Sequence, residues 1–198
     1  MRKHVLLLAP HLDDIELGAG GLVAKLSEGK SHITYIGFYA PLEMRNEFHE
    51  SAEILGIDEI HLLDFENRTF PSHRQEILQF LYDYDKNHNV DLVLTPATTD
   101  IHQDHQTVTN EAIRAFRRCS ILGYEIPGNN IEIKKNCLVI LRARHIKKKA
   151  EAILCYKSQF HRGQKFTPEY TLSRALNHDV HMDTKYIEVF EVIKLVII

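Results

Sequence analysis

Residues 4–21 read His-Val-Leu-Leu-Leu-Ala-Pro-His-Leu-Asp-Asp-Ile-Glu-Leu-Gly-Ala-Gly-Gly. The apolar run over 4–9 has the length and composition of a strand buried on both faces. Pro10 stops its ladder. Over 18–28 the spacing turns helical, with Leu22, Val23 and Leu26 on one face and Gly29 just past the end. The same alternation continues outward. Residues 32–39 predict a strand, 44–55 a helix closed by Gly56, 59–63 a strand, 73–87 a helix and 91–95 a strand ending at Pro96. The crossovers are long enough for parallel pairing. The sequence therefore predicts a Rossmann-like, doubly wound α/β fold with a mostly parallel sheet. A helix at 105–118 follows. Beyond it, strands near 121–126 and 137–142, a helix at 145–158, a polar stretch at 159–185 and a strand at 186–196 read as a smaller C-terminal extension.

Length and composition bound the rest. A chain of 198 residues with 44% hydrophobic and 26% charged content reads as a single domain, 1–198, able to bury a real core. Its 24 Lys+Arg against 27 Asp+Glu leave a net charge of −3, which argues against a dedicated nucleic-acid binder. Cys119, Cys137 and Cys155 form no CxxC pair, which excludes a disulfide framework and a four-cysteine zinc site. They favour a reducing compartment, and the expected location is cytoplasmic. No apolar run approaches the ~20 residues of a membrane-spanning helix. The 13 histidines stand out, because imidazole is both a common metal ligand and the usual acid–base group at neutral pH.

Two short segments concentrate that chemistry. The first is Pro10-His11-Leu12-Asp13-Asp14, and the second is Asp100-Ile101-His102-Gln103-Asp104-His105. Each follows a predicted strand. In open parallel sheets, ligands bind beyond the carboxyl ends of strands near the topological switch point, so the two segments can converge. Adjacent Asp13 and Asp14 repel unless a cation lies near. His11, Asp14 and His105 make a two-histidine, one-carboxylate set that leaves a position open for water, as catalytic zinc requires. Non-haem iron(II) uses the same set, so ligand type leaves Zn2+ and Fe2+ both open. Each segment alone also has a plain structural reading. HxDD can be a turn with an aspartate cap on the next helix, Gly18, Gly20 and Gly21 can simply let that helix approach the sheet, and HxDH can be a solvated loop.

The two segments together resemble the signature of the PIG-L (LmbE-like) family of metal-dependent N-deacetylases. Pro10-His11-x-Asp13-Asp14 with the glycine-rich helix start resembles the family's first motif, and His102-x-Asp104-His105 its second. Weaker similarities run through Arg45, Glu47, Ala52 and Leu55-Gly56, then Lys147-x-x-Ala150, Tyr156-Lys157-Ser158-Gln159 and Tyr186-Ile187-Glu188-Val189-Phe190. Where the family often carries Arg-Gly before the closing tyrosine, this chain has His178-Asp179. The resemblance implies removal of the N-acetyl group from an N-acetylglucosamine-type sugar, free or nucleotide- or lipid-linked.

Roles follow from the chemistry of amide hydrolysis. Asp13 is the expected general base and His102 the group that stabilises the oxyanion or delivers a proton. Asp104 is expected to orient His102 and to favour its imidazolium form. Arg45 and Asp64 are candidate sugar- or phosphate-binding residues, each with an ordinary structural alternative. Asp100 reads as a helix-start or supporting residue rather than a ligand. His178 and His181 are weaker ligand candidates. The basic run from Arg142 to Lys149 is either a solvated helix face or an attractor for a nucleotide or phospholipid head group. A metal-dependent esterase or phosphohydrolase, and a non-catalytic sugar- or nucleotide-binding domain, are the competing readings. A homo-oligomer is compatible with the sequence.

Overall fold

A computed structural model describes residues 2–132, 134–163, 166–176 and 183–197. In chain order it contains β1 (His4–His11), α1 (Asp14–Glu28), β2 (His32–Tyr39), α2 (Leu42–Leu55), β3 (Glu59–Leu62), α3 (Arg74–Asn87), β4 (Leu92–Pro96) and α4 (Gln103–Ala115). There follow β5 (Ser120–Tyr124), β6 (Cys137–Leu141), α5 (Ala143–Leu154), α6 (Pro168–Ala175) and β7 (Tyr186–Lys194). The seven strands form one sheet in the order β3-β2-β1-β4-β5-β7-β6. The first five run parallel, and β7 pairs antiparallel with both β5 and β6. The expected α/β architecture is present. The last strand is no appendage, because it inserts between β5 and β6 and completes the sheet.

Alternation along β1 explains the two cores. Val5, Leu7 and Ala9 face a core shared with α1, α2 and α5. Leu6 and Leu8 face a second core with Ile77 and Leu81 of α3 and Val108 and Ala112 of α4. Glycine lets α1 lie close on the sheet, as the plain reading of its glycines expected. A Cβ on Gly18 would come within 2.4 Å of the Tyr124 ring. One on Gly21 would come within 2.9 Å of the Glu188 carboxyl, whose oxygens accept the Gly21 and Leu22 amides. That carboxylate is buried and paired with Lys149.

Several boundaries differ from the pattern-based reading. Helix α1 starts at Asp14, not residue 18, because Asp14 and Glu16 suit the positive end of the helix dipole. Helix α4 starts at Gln103, and α5 ends at Leu154 in a 3-10 turn, Lys157–Arg162. The expected polar stretch contains α6, whose start is capped by the Thr167 hydroxyl and opened by Pro168. Its eight residues bury only Thr171 and Ala175, too few to show as a periodic face. His178, Asp179 and His181 lie outside the described residues. Among the described residues, no helix is long and apolar enough to cross a membrane.

Candidate active site

Strands β1 and β4 are neighbours, while the chain winds outward from them in opposite directions. The switch point therefore lies between their carboxyl ends. The two motifs follow those ends and meet there, although 94 residues separate His11 from His105.

Three atoms converge. His11 Nδ1 lies 3.1 Å from His105 Nε2. Asp14 Oδ2 lies 3.3 Å from each of them. Their hydrogen bonds fix the proton positions. His105 Nδ1 meets buried Asp100 Oδ2 at 2.8 Å, so Nδ1 carries the proton and Nε2 is a bare lone pair. His11 Nε2 faces Asn67 Oδ1 at 3.2 Å and Asp104 Oδ2 at 3.4 Å, both acceptors, so its proton sits there and Nδ1 is bare. Two lone pairs and a carboxylate oxygen thus face one another and need a proton or a cation between them. A zinc ion with bonds of ~2.0–2.1 Å has tetrahedral edges of about 3.3 Å. The residues fit such an ion in both donor chemistry and spacing. Without a cation, a proton takes its place on His11. Burial opposes that charge, but hydrogen bonds to Asp104 and Asp14 and the charges of Asp14 and Asp13 raise its pKa to about 10. Burial likewise opposes ionisation of Asp14, yet His105 and His11 hold it well below the usual carboxylate range.

His102 stands beside this group. Its ring centroid is 5.0 Å from that of His11 and 4.8 Å from that of His105. One ring nitrogen of each of the three histidines lies within 4.8 Å of the other two. His102 Nδ1 accepts the backbone amide of Asp104 at 3.2 Å, capping α4. This corrects the expected role of Asp104. Its carboxylate does not orient His102. It accepts the amides of Arg68 at 2.6 Å and Phe70 at 3.2 Å, and it faces His11. Nor is imidazolium favoured at His102. Burial and the neighbouring His105 and His11 push its pKa down. Because Nδ1 accepts the Asp104 amide, the proton of the neutral ring sits on Nε2.

Asp13 is buried and lines a cavity of about 320 Å³ with His11, Asp14, His102 and His105. It occupies the N-cap position of α1 without making a side-chain cap hydrogen bond, which removes the plain reading of HxDD. Arg162 Nη1 lies 3.4 Å from Asp13 Oδ2. Tyr39, Glu43, Asn67, Arg68, Asn129, Gln159 and Arg162 complete the polar wall. Only Gln159 among them lies in a segment that resembles the family's. Arg68 has φ 69, in the left-handed region, which sets its amide on Asp104. Nothing in the local sequence around Asn67 and Arg68 points to this.

Arg45 and Asp64 are not among the cavity's lining residues. They pair with each other at 2.5 Å, and Arg45 also donates to the Ala40 carbonyl. Glu47 accepts both the amide and the hydroxyl of Ser158, at 2.8 and 2.6 Å. It thereby pins the turn that presents Gln159 and Arg162. Of the basic run, Lys149 is buried on Glu188, Arg144 pairs with Glu28, and Lys147 pairs with Glu151. Those three charges are spent on carboxylates of the chain.

Residues 6–116, more than half of the chain, match the family model described as PIG-L: GlcNAc-PI de-N-acetylase. The chain belongs to the PIG-L family. It is similar to the uncharacterized deacetylase YaiS of Escherichia coli, at 27% identity over 170 residues, 79% of this chain and 92% of that one. It is also similar to the diacetylchitobiose deacetylase of Thermococcus kodakarensis, at 29% identity over 122 residues, 52% of this chain and 45% of that one. Among solved structures, the conserved protein TT1542 of Thermus thermophilus superposes with a TM-score of 0.79 at 25% identity, covering 98% of this chain and 96% of that one.

Proposed function

We propose that this chain is a metal-dependent deacetylase that hydrolyses the N-acetyl group of an N-acetylglucosamine-type sugar or its conjugate. The observation that carries the reading is the triangle of His11 Nδ1, His105 Nε2 and Asp14 Oδ2, with edges of 3.1 and 3.3 Å, beside buried Asp13. The deacetylases among its relatives support the choice of an amide over an ester or a phosphate.

In this reading His11, Asp14 and His105 hold a divalent ion, zinc or iron. When bound, the ion supplies Lewis acidity, which promotes ionisation of water near neutral pH and polarises an acyl carbonyl. Asp13 takes the proton of the attacking water and passes it to the departing amine. Its burial keeps bulk water from competing for that proton. His102 directs its Nε2 proton at the carbonyl oxygen, where negative charge develops. Asp100 and Asp104 hold His105 and His11 in the tautomers that leave the facing nitrogens bare. The polar side chains of the cavity wall offer donors and acceptors to sugar hydroxyls.

The test is incubation with N-acetylglucosamine, N,N'-diacetylchitobiose and nucleotide- and lipid-linked N-acetylhexosamines, with free amine and acetate measured. Equal release of both is expected, lost on chelation and restored by a divalent ion. Asp13→Asn should keep the metal and lose roughly 10²–10⁴-fold in turnover. Release of phosphate in place of acetate, or loss of metal in Asp13→Asn, would overturn the assignment.

A further inference from the structure

The bond between the two halves of the first motif is held from outside the motif. Leu12 separates His11 from Asp13, and its carbonyl oxygen accepts two phenols. Tyr35, on β2, donates to it at 2.9 Å, and the Tyr156 hydroxyl, following α5, lies 2.5 Å away. A carbonyl oxygen has two lone pairs, so the pair of phenols saturates it. Both tyrosines are fully buried. The same Tyr156 hydroxyl lies 2.9 Å from Glu16 Oε1, a second and more distant acceptor for its one proton, which also accepts the Ser51 hydroxyl at 2.6 Å. Tyr156 also has a fixed origin, since two residues on Ser158 is tied to Glu47 by its amide and its hydroxyl.

Two directional bonds to one carbonyl fix the plane of the Leu12–Asp13 peptide. That plane sets the directions in which Asp13 and Asp14 leave the backbone. Neighbouring carboxylates can do different work only if those directions stay apart. We propose that Tyr156 is a positioning residue for the reaction: with Tyr35 it locks the Leu12–Asp13 peptide, aiming Asp14 at the two histidines and Asp13 at the substrate. The inference rests on the deacetylase reading for its kinetic consequence. Its consequence for metal affinity stands apart from that reading. The turn that walls the cavity with Gln159 and Arg162 is thus joined to the first motif through the Tyr156 phenol, as well as by Arg162 beside Asp13.

Tyr156→Phe keeps the ring and removes the hydroxyl. The comparison variant is Ser51→Ala, which removes a hydrogen bond from Glu16 in the same buried cluster without touching Leu12. Purified proteins are compared for kcat and KM in acetate release, for metal affinity by chelator competition, and for thermal stability. Tyr156→Phe is expected to lower kcat or metal affinity by roughly 10–100-fold, the range for losing an orienting partner. KM should stay within about twofold, since the lost interaction acts on the reacting groups rather than on uniform binding. Ser51→Ala should lower the melting temperature and leave kcat and metal affinity unchanged. If Tyr156→Phe does not fold, Tyr35→Phe removes the partner bond and carries the same expectation. Wild-type kcat and metal affinity in the phenylalanine variant would overturn the proposal, as would an equal fall in kcat in Ser51→Ala. Should the wild-type protein release no acetate, the deacetylase reading fails by itself. The chelator competition then decides the positioning role, with unchanged affinity overturning it.

Discussion

Asp100→Asn is the substitution whose consequence the geometry specifies most fully. Asp100 is fully buried, and both of its oxygens are used. Oδ2 faces His105 Nδ1 at 2.8 Å, and Oδ1 accepts the His102 amide at 2.8 Å. An asparagine has one oxygen for two donors. If that oxygen faces His105, the amide group meets the His102 N–H, donor against donor. If it faces the His102 N–H, the amide group meets His105 Nδ1 and favours the tautomer with its proton on Nε2. That proton would then occupy the lone pair directed at His11 and Asp14. The first arrangement leaves a buried donor unpaired at about 1–3 kcal/mol, and from the second the protein must return to it before His105 can bind metal. Since ~1.4 kcal/mol is a factor of ten, metal affinity should fall roughly 5- to 150-fold. This brackets the ~10–100-fold typical of losing a partner behind a ligating histidine. The assay is competition with a chromophoric chelator, paired with thermal melts with and without the metal. The melting-temperature gain from metal should shrink, while circular dichroism of the metal-free protein stays unchanged. A folded variant with wild-type metal affinity would refute the tautomer argument and the placement of His105 as a ligand.

The remaining predictions concern separate parts of the structure. His102→Ala should retain metal and lose roughly 10²–10³-fold in turnover. Because the Asp104 carboxylate serves His11 and the Arg68–Phe70 backbone rather than His102, adding Asp104→Asn should cause a further loss close to its own single-mutant effect. A double variant no worse than His102→Ala would restore the pairing expected from sequence. Gly18→Ala places a methyl 2.4 Å from the Tyr124 ring, and overpacking of this kind costs about 1–3 kcal/mol, measurable by urea denaturation; unchanged stability would mean that the helix–sheet approach has slack. Burial opposes ionisation of Glu191, but the Thr98 amide and hydroxyl and the Lys134 ammonium outweigh it, so its folded pKa lies below the usual value. A depressed carboxylate contributes stability that is complete above its unfolded pKa of about 4.3 and is lost as pH falls through the folded value. The stability gap between wild type and Glu191→Gln should therefore be widest at neutral pH and close in acid; a gap independent of pH would rule out this linkage.

The fold and the meeting of the two motifs were legible because both rest on local signals. A double-faced apolar run at 4–9 needs no partner to be recognised as a buried strand. The motifs follow two such runs, and β1 and β4 turn out to be adjacent. Chemistry-bearing residues within one segment were legible for the same reason. Directions across segments were not. Asp104 stands next to His105 in sequence, yet at the start of α4 its carboxylate turns away to amides 34–36 residues distant. Arg45 follows β2 on the correct side of the sheet, but it pairs with Asp64 and is not among the residues lining the cavity. Tyr35 and Tyr156 fall at positions whose pattern predicts core, and core is what their rings are. Only the far end of each phenol is functional in the reading above, and hydrophobic periodicity carries no information about a hydroxyl.

These failures share a cause that bears on how the site works. The residues proposed to touch metal or substrate come from two short segments, each running from a strand end into the next helix. Asp100 and Asp104 orient them from within the second segment, and further orienting groups come from β2, α2, the turn after β3 and the turn after α5. Leu12 is held by Tyr35 and Tyr156, His11 by Asn67 and Asp104, and the cavity wall by Glu47 on Ser158. Short loops alone leave side chains free to turn, and a misplacement of ~1 Å can lose about a hundredfold in rate. Adjacent Asp13 and Asp14 make the demand stricter, because one peptide plane must serve two carboxylates with different tasks. A fold that gathers orienting groups from several elements meets that demand with rigid secondary structure. The sheet fixes where the motifs meet, and the distant tyrosines, acids and amides fix which way they face.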